Sequence, residues 1–331
     1  MVSAAYAVNI IYIILETGIL EDIARAKKTA VELSTEKNLD LPILTALMDA
    51  CVSLELISKV EGKYQLAKKG RYFLKISHVW FRDYLLVWGR HLNPAFFNLQ
   101  SSVKNGKNAF ELAHGKKIWD FYANNEVENK IFVDFMSKVT DQGHTKIIAD
   151  DIDLYGCKSI LDVGGGVGSL GCALANRFPD ISVTIFDQEA NFNKAVEKIK
   201  QVNTNSNCYF KSGSIFKDIP SDFDLYTIKH VLHDWDDDSA ELILACICNS
   251  MRIDSKLMII EGVLDRAFNA NKDESEYLHL RNVEQMAWTP GKVRSLGEFR
   301  TLLSRAGLLI EKVDDSEVFD ISYILCRKYL P

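Results

Sequence analysis

Apolar residues follow two different spacings in the two halves of the chain. Up to about residue 150 they recur every three or four positions, as in Leu41–Cys51, which predicts amphipathic helices. From Cys157 onward, short β-rich runs alternate with helical segments, which predicts an α/β sheet. We therefore expect a helical domain at 1–100, linking helices at 101–150 and an α/β domain at 151–331.

Seven β-rich runs define the expected sheet. Helical segments separate the first six runs, which predicts parallel crossover connections, and the last two runs are close enough together for an antiparallel hairpin. The seven runs are Ser159–Val163, Ser182–Phe186, Cys208–Lys211, Phe223–Ile228, Lys256–Ile260, Leu308–Lys312 and Ile321–Cys326.

The N-terminal half contains a helix, helix, hairpin order that is typical of a winged helix. The segments are Thr29–Leu33, Leu41–Leu56 and Ile57–Leu66, with Glu61-Gly62 as the hairpin turn. Residues 27–75 carry nine Lys/Arg against six Asp/Glu, a difference of +3, so DNA binding is one alternative. The second helix has no Lys or Arg, however, which favours a packing or dimerisation role.

Composition narrows the classes of partner. The formal net charge of −6 argues against the broad basic surface that nucleic-acid binding requires. Seven scattered cysteines without a C-x-x-C pair predict free thiols in a reducing compartment and no structural zinc. The first apolar run, Ala4–Leu15, includes Asn9 and is too short for a membrane span, so it predicts a packed helix. We therefore expect no nucleic acid, no membrane and a cytoplasmic location.

The sharpest motif is a glycine cluster between a strand and a helix. Ile160–Val163 has the composition of a buried strand, four of the five positions 164–168 are glycine, and a helix is expected over Leu170–Phe178. Glycine lets the backbone turn tightly and approach a ligand, and the first turn of a helix offers free N–H groups. We therefore expect a ligand to bind at this loop.

An acidic residue ends the second predicted strand. A carboxylate at Asp187 is placed to accept hydrogen bonds from both ribose hydroxyls of a nucleoside. Gly166–Gly171 also fits the dinucleotide fingerprint G-x-G-x-x-G, which leaves a nicotinamide cofactor as an alternative. The glycine cluster begins two positions before that fingerprint, so the register favours another nucleoside. Asp162 suits a cationic amino-acid moiety, such as that of S-adenosylmethionine, better than a pyrophosphate.

A histidine follows the fourth predicted strand, at the carboxyl edge of the sheet where ligands of open α/β folds bind. Asp236–Asp238 are expected to cap and begin a helix over Ser239–Met251. A neutral imidazole at His233 could remove the proton of a phenol or enol beside the cofactor. From the residues alone, a structural role for His233 and a catalytic role for His230 both remain open.

Four motifs together resemble one family. They are Leu-Asp-Val-Gly-Gly-Gly-Val-Gly at 161–168, Phe-Asp at 186–187, Lys-His-Val-Leu-His-Asp-Trp at 229–235 and Thr-Pro-Gly-Lys-Val-Arg-Ser at 289–295. Over nearly its whole length the chain resembles small-molecule O-methyltransferases, a class that includes plant caffeate and flavonoid enzymes and bacterial polyketide and phenazine tailoring enzymes. The resemblance implies a seven-stranded Rossmann-like methyltransferase domain, preceded by a mainly helical winged-helix domain through which the chain forms a homodimer.

The resemblance also implies the catalytic residues. In the family the histidine of His-Asp-Trp is the general base, which selects His233 over His230. An acid at the end of the fifth strand orients that base, and Glu261 stands at this position, where a carboxylate fixes the imidazole tautomer. Asp234 of the same motif completes the candidate catalytic set, and no metal is implied.

The cofactor implied by the resemblance is S-adenosylmethionine, with S-adenosylhomocysteine as product. The glycine loop is expected to contact it, Asp187 to bind the ribose and residues 213–215 to face the adenine. Family members usually carry Asp where Ser214 stands, so we expect a weaker or differently made adenine contact. The full candidate set is Asp162, Gly164, Gly166, Asp187, Gly213, Ser214, Ile215 and Lys229.

A larger departure from the family lies at Val293, where many members carry a second glutamate beside the histidine. Glu284 is a candidate substitute, because Leu280, Val283, Glu284 and Ala287 share one stripe of a predicted helix. The alternative is that Glu284 simply lies at the edge of an amphipathic helix. The missing glutamate leaves the type of acceptor atom open.

Aromatic and methionine side chains from long helices form the acceptor pocket in the family. Aromatic-rich helices are expected at 77–103 and 126–150. By position, the resemblance places Phe132, Met136, Glu284, Met286 and Trp288 at this pocket.

The predicted function is methyl transfer to a hydroxyl of a small, aromatic or polyketide-like molecule. Transfer to carbon or nitrogen on the same scaffold is the main alternative. A cofactor-binding relative used for decarboxylation or cyclisation is another. A nicotinamide-dependent oxidoreductase and a DNA-binding regulator are the alternatives from other classes.

Overall fold

The computed structural model describes residues 2–77, 80–141, 144–152, 154, 156–202, 206–266, 272–316 and 321–329. The chain divides into two compact units. The first contains Met1–Asn98 and Trp119–Val139, and the second contains Leu99–Ile118 and Thr140–Pro331. Both units therefore take residues from the expected linking segment 101–150, and the division at 100 and 150 stays a prediction.

The helices of the described residues span most of the expected helical segments. Of the helix expected at 77–103, residues 81–105 are helical, with a π-helical segment at Trp88–Leu92 between two α-helices. Of the helix expected at 126–150, Glu126–Asp141 and His144–Asp151 are helical. His78, Val79, Gln142 and Gly143 lie outside the described residues. The helices are α1 Val2–Thr17, α2 Ile19–Arg25, α3 Ala30–Lys37, α4 Leu41–Ser53, α5 Phe81–Val87, α6 Asn93–Asn105, α7 Ala109–His114, α8 Ile118–Ala123, α9 Glu126–Asp141, α10 His144–Asp151, α11 Ser169–Arg177, α12 Phe192–Val202, α13 Asp237–Ser250, α14 Lys272–Trp288 and α15 Leu296–Arg305.

Local sequence signals explain the helix and hairpin boundaries of the first unit. Thr29 and Glu32 form a capping box at the start of α3, and Asp40 caps α4 by accepting from the Ile43 N–H. The hairpin joins β1 (Ile57–Val60) to β2 (Lys63–Leu66), as predicted. The winged-helix and dimerisation interpretations of this region stay predictions.

No single helix within the described ranges is both long enough and apolar enough to cross a membrane. The consecutive segments Ser3–Thr17 and Ile19–Arg25 meet these two requirements only as a pair, with a bend of 65° between them.

All seven strands predicted for the second unit are present, with ends that differ by at most three residues. The sheet order is β5-β4-β3-β6-β7-β9-β8. Strand β9 pairs antiparallel with both β7 and β8, which confirms the terminal hairpin, and the other neighbouring pairs are parallel. The strands are β3 Ser159–Val163, β4 Ser182–Asp187, β5 Cys208–Ser212, β6 Leu225–Lys229, β7 Lys256–Glu261, β8 Leu308–Asp315 and β9 Ser322–Lys328.

Both faces of this sheet are covered, so its central strands are apolar at nearly every position. Leu161 and Ile259 pack into one buried cluster together with residues of α13 and α15. Their neighbours Ile160 and Ile260 pack into a second cluster on the other face. Continuous apolar runs of this kind are typical of parallel sheets buried on both sides.

The strand order reverses beside β3. Strands β4 and β5 lie on one side of β3, and the chain then crosses to β6 on the other side. The carboxyl ends of two such strands open a crevice in which ligands of α/β sheets bind. The glycine loop follows β3, and the segment that carries His233 follows β6. The two sharpest sequence motifs therefore meet at one edge of the sheet.

Candidate active site

The glycine loop, residues Gly164–Gly168, leads from β3 into α11. Its backbone is held by β4: the Gly164 N–H donates to the Phe186 carbonyl at 2.8 Å, and the Gly166 N–H donates to Asp187 Oδ2 at 2.7 Å. Gly164 and Gly166 have φ of 69° and 58°, which favours glycine at both positions. The fixed path of this loop thus depends on the acid predicted to bind ribose.

Asp162, the last residue but one of β3, is a buried acid below the loop. Its Oδ1 accepts from the Thr227 hydroxyl at 2.9 Å, whereas Oδ2 is buried without a hydrogen-bond partner among the described residues. Burial raises the pKa of this carboxyl to about 6, against the lowering effects of Thr227 and Lys229. A buried carboxylate oxygen in this condition can accept a hydrogen bond or pair with a cation.

Asp187, at the end of β4, is fixed by its own neighbours. Its Oδ1 accepts from the Gln188 N–H at 2.7 Å and from Asn191 Nδ2 at 2.9 Å. Its backbone carbonyl accepts from the Gly213 N–H at 3.0 Å, so Asp187 and the 213–215 segment are adjacent. Ser214 Oγ accepts from the Phe216 N–H at 3.3 Å and can still donate its own proton.

His233 lies in a short turn, residues 231–235, that we call the histidine turn. Its Nδ1 is 2.6 Å from Oε2 of Glu261 at the end of β7. Glu261 Oε1 accepts from the backbone N–H groups of Val231 and Leu232, both at 3.0 Å. One buried carboxylate therefore holds both the turn and the imidazole ring.

His233 and Glu261 each favour the charged form of the other. Burial acts against the charged forms, but the carboxylate of Glu261 and that of Asp234 raise the pKa of His233 above its ordinary value. Burial would raise the pKa of Glu261, yet His233 and the nearby His230 hold it well below the usual range. Glu261 is thus an anion near neutral pH, and the proton on His233 Nδ1 points toward it.

His230 shares the same acid but in a poorer arrangement. Its Nδ1 is 3.6 Å from Glu261 Oε2, and burial together with Lys229 lowers its pKa well below the ordinary value. Its φ of 50° is uncommon for a residue with a side chain. The geometry therefore pairs His233 with Glu261 more closely than His230.

Asp234 faces the other nitrogen of the imidazole. Its Oδ1 is 3.5 Å from His233 Nε2 and accepts from Gln285 Nε2 at 2.9 Å. Gln285, in α14, also donates to the His233 carbonyl at 3.1 Å. Sequence reasoning singled out the preceding residue, Glu284, and missed Gln285.

The helix stripe proposed for Glu284 is not one buried face. Leu280 and Val283 are 63% and 47% exposed, whereas Ala287 is fully buried and Glu284 is half-buried. The replacement of the missing acid by Glu284 stays a prediction. Val293, at the position of that acid, is buried, and its N–H donates to Asn282 Oδ1 at 2.9 Å.

The remaining residues predicted for the acceptor pocket lie in both units. Phe132 and Met136 belong to α9 in the first unit, where Phe132 stacks on Tyr122 with ring centroids 4.4 Å apart. Met286, 53% exposed, and Trp288 belong to α14 in the second. Their assignment to the pocket stays a prediction.

Asp236–Asp238 have the structural role expected for them. Asp236 caps α13 by accepting from the Ser239 N–H at 2.8 Å, and α13 begins at Asp237, two residues earlier than predicted. Asp237 is paired with Arg294, which was not assigned a role from the sequence.

With this geometry established, similarity to known proteins identifies the family. A family model described as an O-methyltransferase domain matches residues 96–309. The chain belongs to this O-methyltransferase family. Its sheet, with β9 inserted antiparallel between β7 and β8, follows an N-terminal helical region, as the resemblance implied.

Two relatives of this chain are named as O-methyltransferases of mitomycin biosynthesis and of phenazines. Mitomycin biosynthesis 6-O-methyltransferase of Streptomyces lavendulae is 32% identical over 220 residues, which cover 66% of this chain. The match covers 60% of that relative, which is less than two thirds of its length. Phenazine O-methyltransferase PhzM of Lysobacter antibioticus is 23% identical over 315 residues, covering 95% of this chain and 90% of the relative.

Solved O-methyltransferases share the fold. NcsB1, an O-methyltransferase from neocarzinostatin biosynthesis, was crystallised with S-adenosyl-L-homocysteine and 1,4-dihydroxy-2-naphthoic acid. Its structure has a TM-score of 0.84 to this one at 24% identity, covering 98% of this chain and 96% of that chain. The likeness extends over nearly the full length of both chains and establishes a common fold.

Proposed function

We propose that this chain transfers a methyl group from S-adenosylmethionine to a hydroxyl of a small aromatic molecule, with His233 as general base. The observation that carries the proposal is the 2.6 Å contact between His233 Nδ1 and buried Glu261, at the sheet edge that also bears the glycine loop. A Cβ added to Gly164 would lie 2.7 Å from a methyl carbon of Val231, so the loop and the histidine turn are in contact. Cofactor and base are thereby neighbours.

The residues of the sheet edge fit S-adenosylmethionine. Asp162 and the backbone of Gly164 and Gly166 would hold the amino-acid part, for which the unpartnered buried Oδ2 of Asp162 is a suitable acceptor. Apart from its two chain neighbours, no described residue has an atom within 4 Å of a Cβ built on Gly166, so the loop has free space on that side. Asp187 would bind the ribose, and Gly213, Ser214 and Ile215 the adenine, with Lys229 completing the site.

The chemistry of the protein is that of a base held in one tautomer. When bound, S-adenosylmethionine supplies an electrophilic methyl group on a sulfonium. His233 donates from Nδ1 to Glu261, which leaves Nε2 with a lone pair to accept the proton of the acceptor hydroxyl. Asp234, 3.5 Å from Nε2, and Glu261 stabilise the imidazolium that results. Positioning of the acceptor oxygen supplies most of the remaining acceleration.

An aromatic acceptor is supported by the relatives, because a phenol has an acidic hydroxyl that a histidine can deprotonate. The mitomycin and phenazine enzymes methylate oxygen in such metabolites according to their names. Transfer to carbon or nitrogen remains the second candidate. It is supported by Val293, which stands where many family members have a second acid.

The proposal also includes a homodimer formed through residues 1–100 and a cytoplasmic location. Light scattering of the purified chain tests the first point, and a mass equal to one chain would remove it. Cell fractionation tests the second.

The experiment for the reaction is a screen of phenols, enols and amines with methyl-labelled cofactor, read by mass spectrometry. A gain of one CH₂ unit on a phenol or enol, located on oxygen by NMR, supports the proposal, and methylation only at carbon or nitrogen selects the second candidate. His233→Ala should lower kcat by roughly 10²- to 10⁴-fold while binding of S-adenosylhomocysteine persists. His279→Ala, at an exposed position of α14, is the matched control. Near-normal turnover by His233→Ala would show that His233 is not the general base.

A further inference from the structure

The segment 289–295, used above only as a mark of resemblance, contains a buried cation directed at the histidine turn. Arg294 is 1% exposed. Its Nη1 donates to the Leu232 carbonyl at 2.6 Å, and its Nη2 donates to the Trp235 carbonyl at 2.7 Å. Its Nε and Nη2 also donate to Asp237 Oδ1, at 3.0 and 2.9 Å, so the guanidinium is held by an anion as well.

These contacts complement those of Glu261. Glu261 accepts hydrogen bonds from the N–H groups of Val231 and Leu232. Arg294 donates hydrogen bonds to the carbonyls of Leu232 and Trp235, which lie on either side of His233. Gln285 donates a hydrogen bond to the carbonyl of His233 itself. The backbone on both sides of the imidazole is therefore fixed by side chains from three other elements.

Close packing leaves the turn little freedom to move. A Cβ built on Gly291 would lie 2.0 Å from the His233 carbonyl oxygen and 2.6 Å from the Trp235 nitrogen, so the 289–295 segment lies directly against the turn. Thr289 Oγ1 accepts from Gln285 Nε2 at 2.9 Å and from the Gly291 N–H at 3.1 Å. The segment thus presents Arg294 from a rigid support.

We propose that Arg294, anchored by Asp237, is a positioning residue that holds His233 in its productive orientation. The inference rests on the proposed function of His233 as base. Arg294 touches neither imidazole nitrogen and acts through the backbone of the turn. A guanidinium suits this task because its planar fork reaches two carbonyls and a carboxylate at once, which the single ammonium of lysine does not.

The main test compares Arg294→Lys with the wild-type chain. Lysine keeps the positive charge beside Asp237 but loses the fork, so the turn should loosen and kcat should fall by about 10- to 100-fold, as expected for a misplaced catalytic group. KM for the acceptor and affinity for S-adenosylhomocysteine should change by less than about threefold, because their sites do not include Arg294. The matched control is Arg305→Lys, in which an exposed arginine paired with Glu241 is altered.

Two measurements separate positioning from a general loss of structure. First, kcat is expressed per S-adenosylhomocysteine-binding site, counted by calorimetry, so that unfolded chains do not contribute. Second, the pKa of His233 is followed by NMR of its imidazole and by the pH profile of kcat. Because Glu261 and Asp234 raise the pKa of His233, a loosened turn should lower it. A merely structural role would leave both quantities unchanged.

Unchanged kcat per site and an unchanged pKa of His233 in Arg294→Lys would overturn the inference. Should Arg294→Lys fail to fold, Asp237→Ala replaces it, because Asp237 is half-exposed and its loss removes the anchor of Arg294; the absence of any shift in the pKa of His233 would then be decisive. If the wild-type chain methylates no acceptor, the proposed function fails, while the NMR titration still reports whether Arg294 positions His233.

Discussion

The histidine turn and the glycine loop lie at the same edge of the same sheet, but protein groups satisfy the polar atoms of the first more fully than those of the second. At the histidine turn, Glu261, Gln285 and Arg294 satisfy backbone groups on every side. Below the glycine loop, Asp162 keeps one buried oxygen without a partner among the described residues. One region is fixed by protein groups, and the other keeps a buried polar atom that a ligand could satisfy.

This difference matches the roles proposed for the two regions, a general base and a cofactor site. A general base must be held within a few tenths of an ångström of its productive position before the acceptor arrives, so its support has to come from the protein. A cofactor site gains affinity when ligand atoms satisfy polar groups that are otherwise unpaired. Variants on the first side should therefore change turnover, and variants on the second should change cofactor affinity.

Among substitutions that keep His233, the largest effect is expected from Glu261→Gln. An amide keeps an oxygen for the N–H groups of Val231 and Leu232 but removes the negative charge beside His233. The tautomer and the imidazolium lose their support, so kcat should fall by about 10²- to 10³-fold, with little change in affinity for S-adenosylhomocysteine by calorimetry. Glu311→Gln, in a surface ion pair with Lys256, is the control.

The pH dependence of the same variant gives the sign of the electrostatic effect. His233 acts as a base when neutral, so kcat should rise with pH through the pKa of His233, which Glu261 and Asp234 raise above its ordinary value. Removing the Glu261 charge should move this rise to lower pH. A rise that moves to higher pH, or does not move, would contradict the assignment of Glu261 as the supporting acid.

Gly164→Ala tests the contact between the two regions. Its new Cβ would lie 2.7 Å from a methyl carbon of Val231, and its φ of 69° is unfavourable for alanine by about 1 kcal/mol. We expect affinity for S-adenosylhomocysteine and kcat each to fall by roughly 10-fold, about 1.4 kcal/mol each, because both the loop and the turn must shift.

Gly115→Ala is a close control for that substitution. Gly115 also has a φ of 69°, but among the described residues only its chain neighbours can have atoms within 4 Å of its Cβ position. It should lose stability through the backbone alone and keep normal binding and turnover. The double variant Gly164→Ala/Val231→Ala should recover part of the activity. If Gly115→Ala impairs binding as strongly as Gly164→Ala, contact between loop and turn is not the cause.

Asp162→Asn should affect binding and stability in opposite directions. Burial raises the pKa of Asp162 to about 6 from about 4 in the unfolded chain. The unfolded state therefore loses this proton at lower pH, and the folded state loses up to about 3 kcal/mol as pH rises from 4 to 6. An amide removes that penalty but also removes the anion, so S-adenosylhomocysteine should bind about 10-fold more weakly.

Urea unfolding between pH 4 and 7.5 checks the stability part of this prediction, and calorimetry checks the binding part. The wild-type chain should show an additional fall in the free energy of unfolding above pH 4 that Asp162→Asn lacks. Asp180→Asn, an exposed change near the same sheet, should behave as wild type. Unaltered binding by Asp162→Asn would remove Asp162 from the cofactor site.

The sheet could be predicted from the sequence because its signals are local. Each strand is a short apolar run, and each is bounded by helical segments or by polar residues. The alternation of strands and helices limits the topology to parallel crossovers, and the short last connection indicates the hairpin. The helix N-caps at Thr29 and Asp236 are equally local, since one side chain and three following residues determine them.

The site was predictable only where a motif carries its own chemistry. Asp187 and Glu261 end strands β4 and β7, His233 follows β6, and the order of strands brings their positions to one edge. Gln285 and Arg294 were missed because their role depends on tertiary packing of α14 and the 289–295 segment against the histidine turn. A buried arginine and an exposed one look alike in a sequence. The only sequence signal for a role of Arg294 was the 289–295 motif, which contains both Gly291 and Arg294.

The smallest effect is expected from Ser214→Asp, which restores the residue usual in the family at the predicted adenine segment. Ser214 Oγ already accepts from the Phe216 N–H at 3.3 Å, and an aspartate can keep that contact while offering a second oxygen. One additional hydrogen bond to a ligand is worth about 1 kcal/mol, so affinity for S-adenosylhomocysteine should rise about two- to fivefold while kcat stays constant. Ser221→Asp, on an exposed loop, is the control. An unchanged affinity would mean that the 213–215 segment does not face the adenine, and a changed kcat would mean that the two regions are more strongly coupled than their separate contacts indicate.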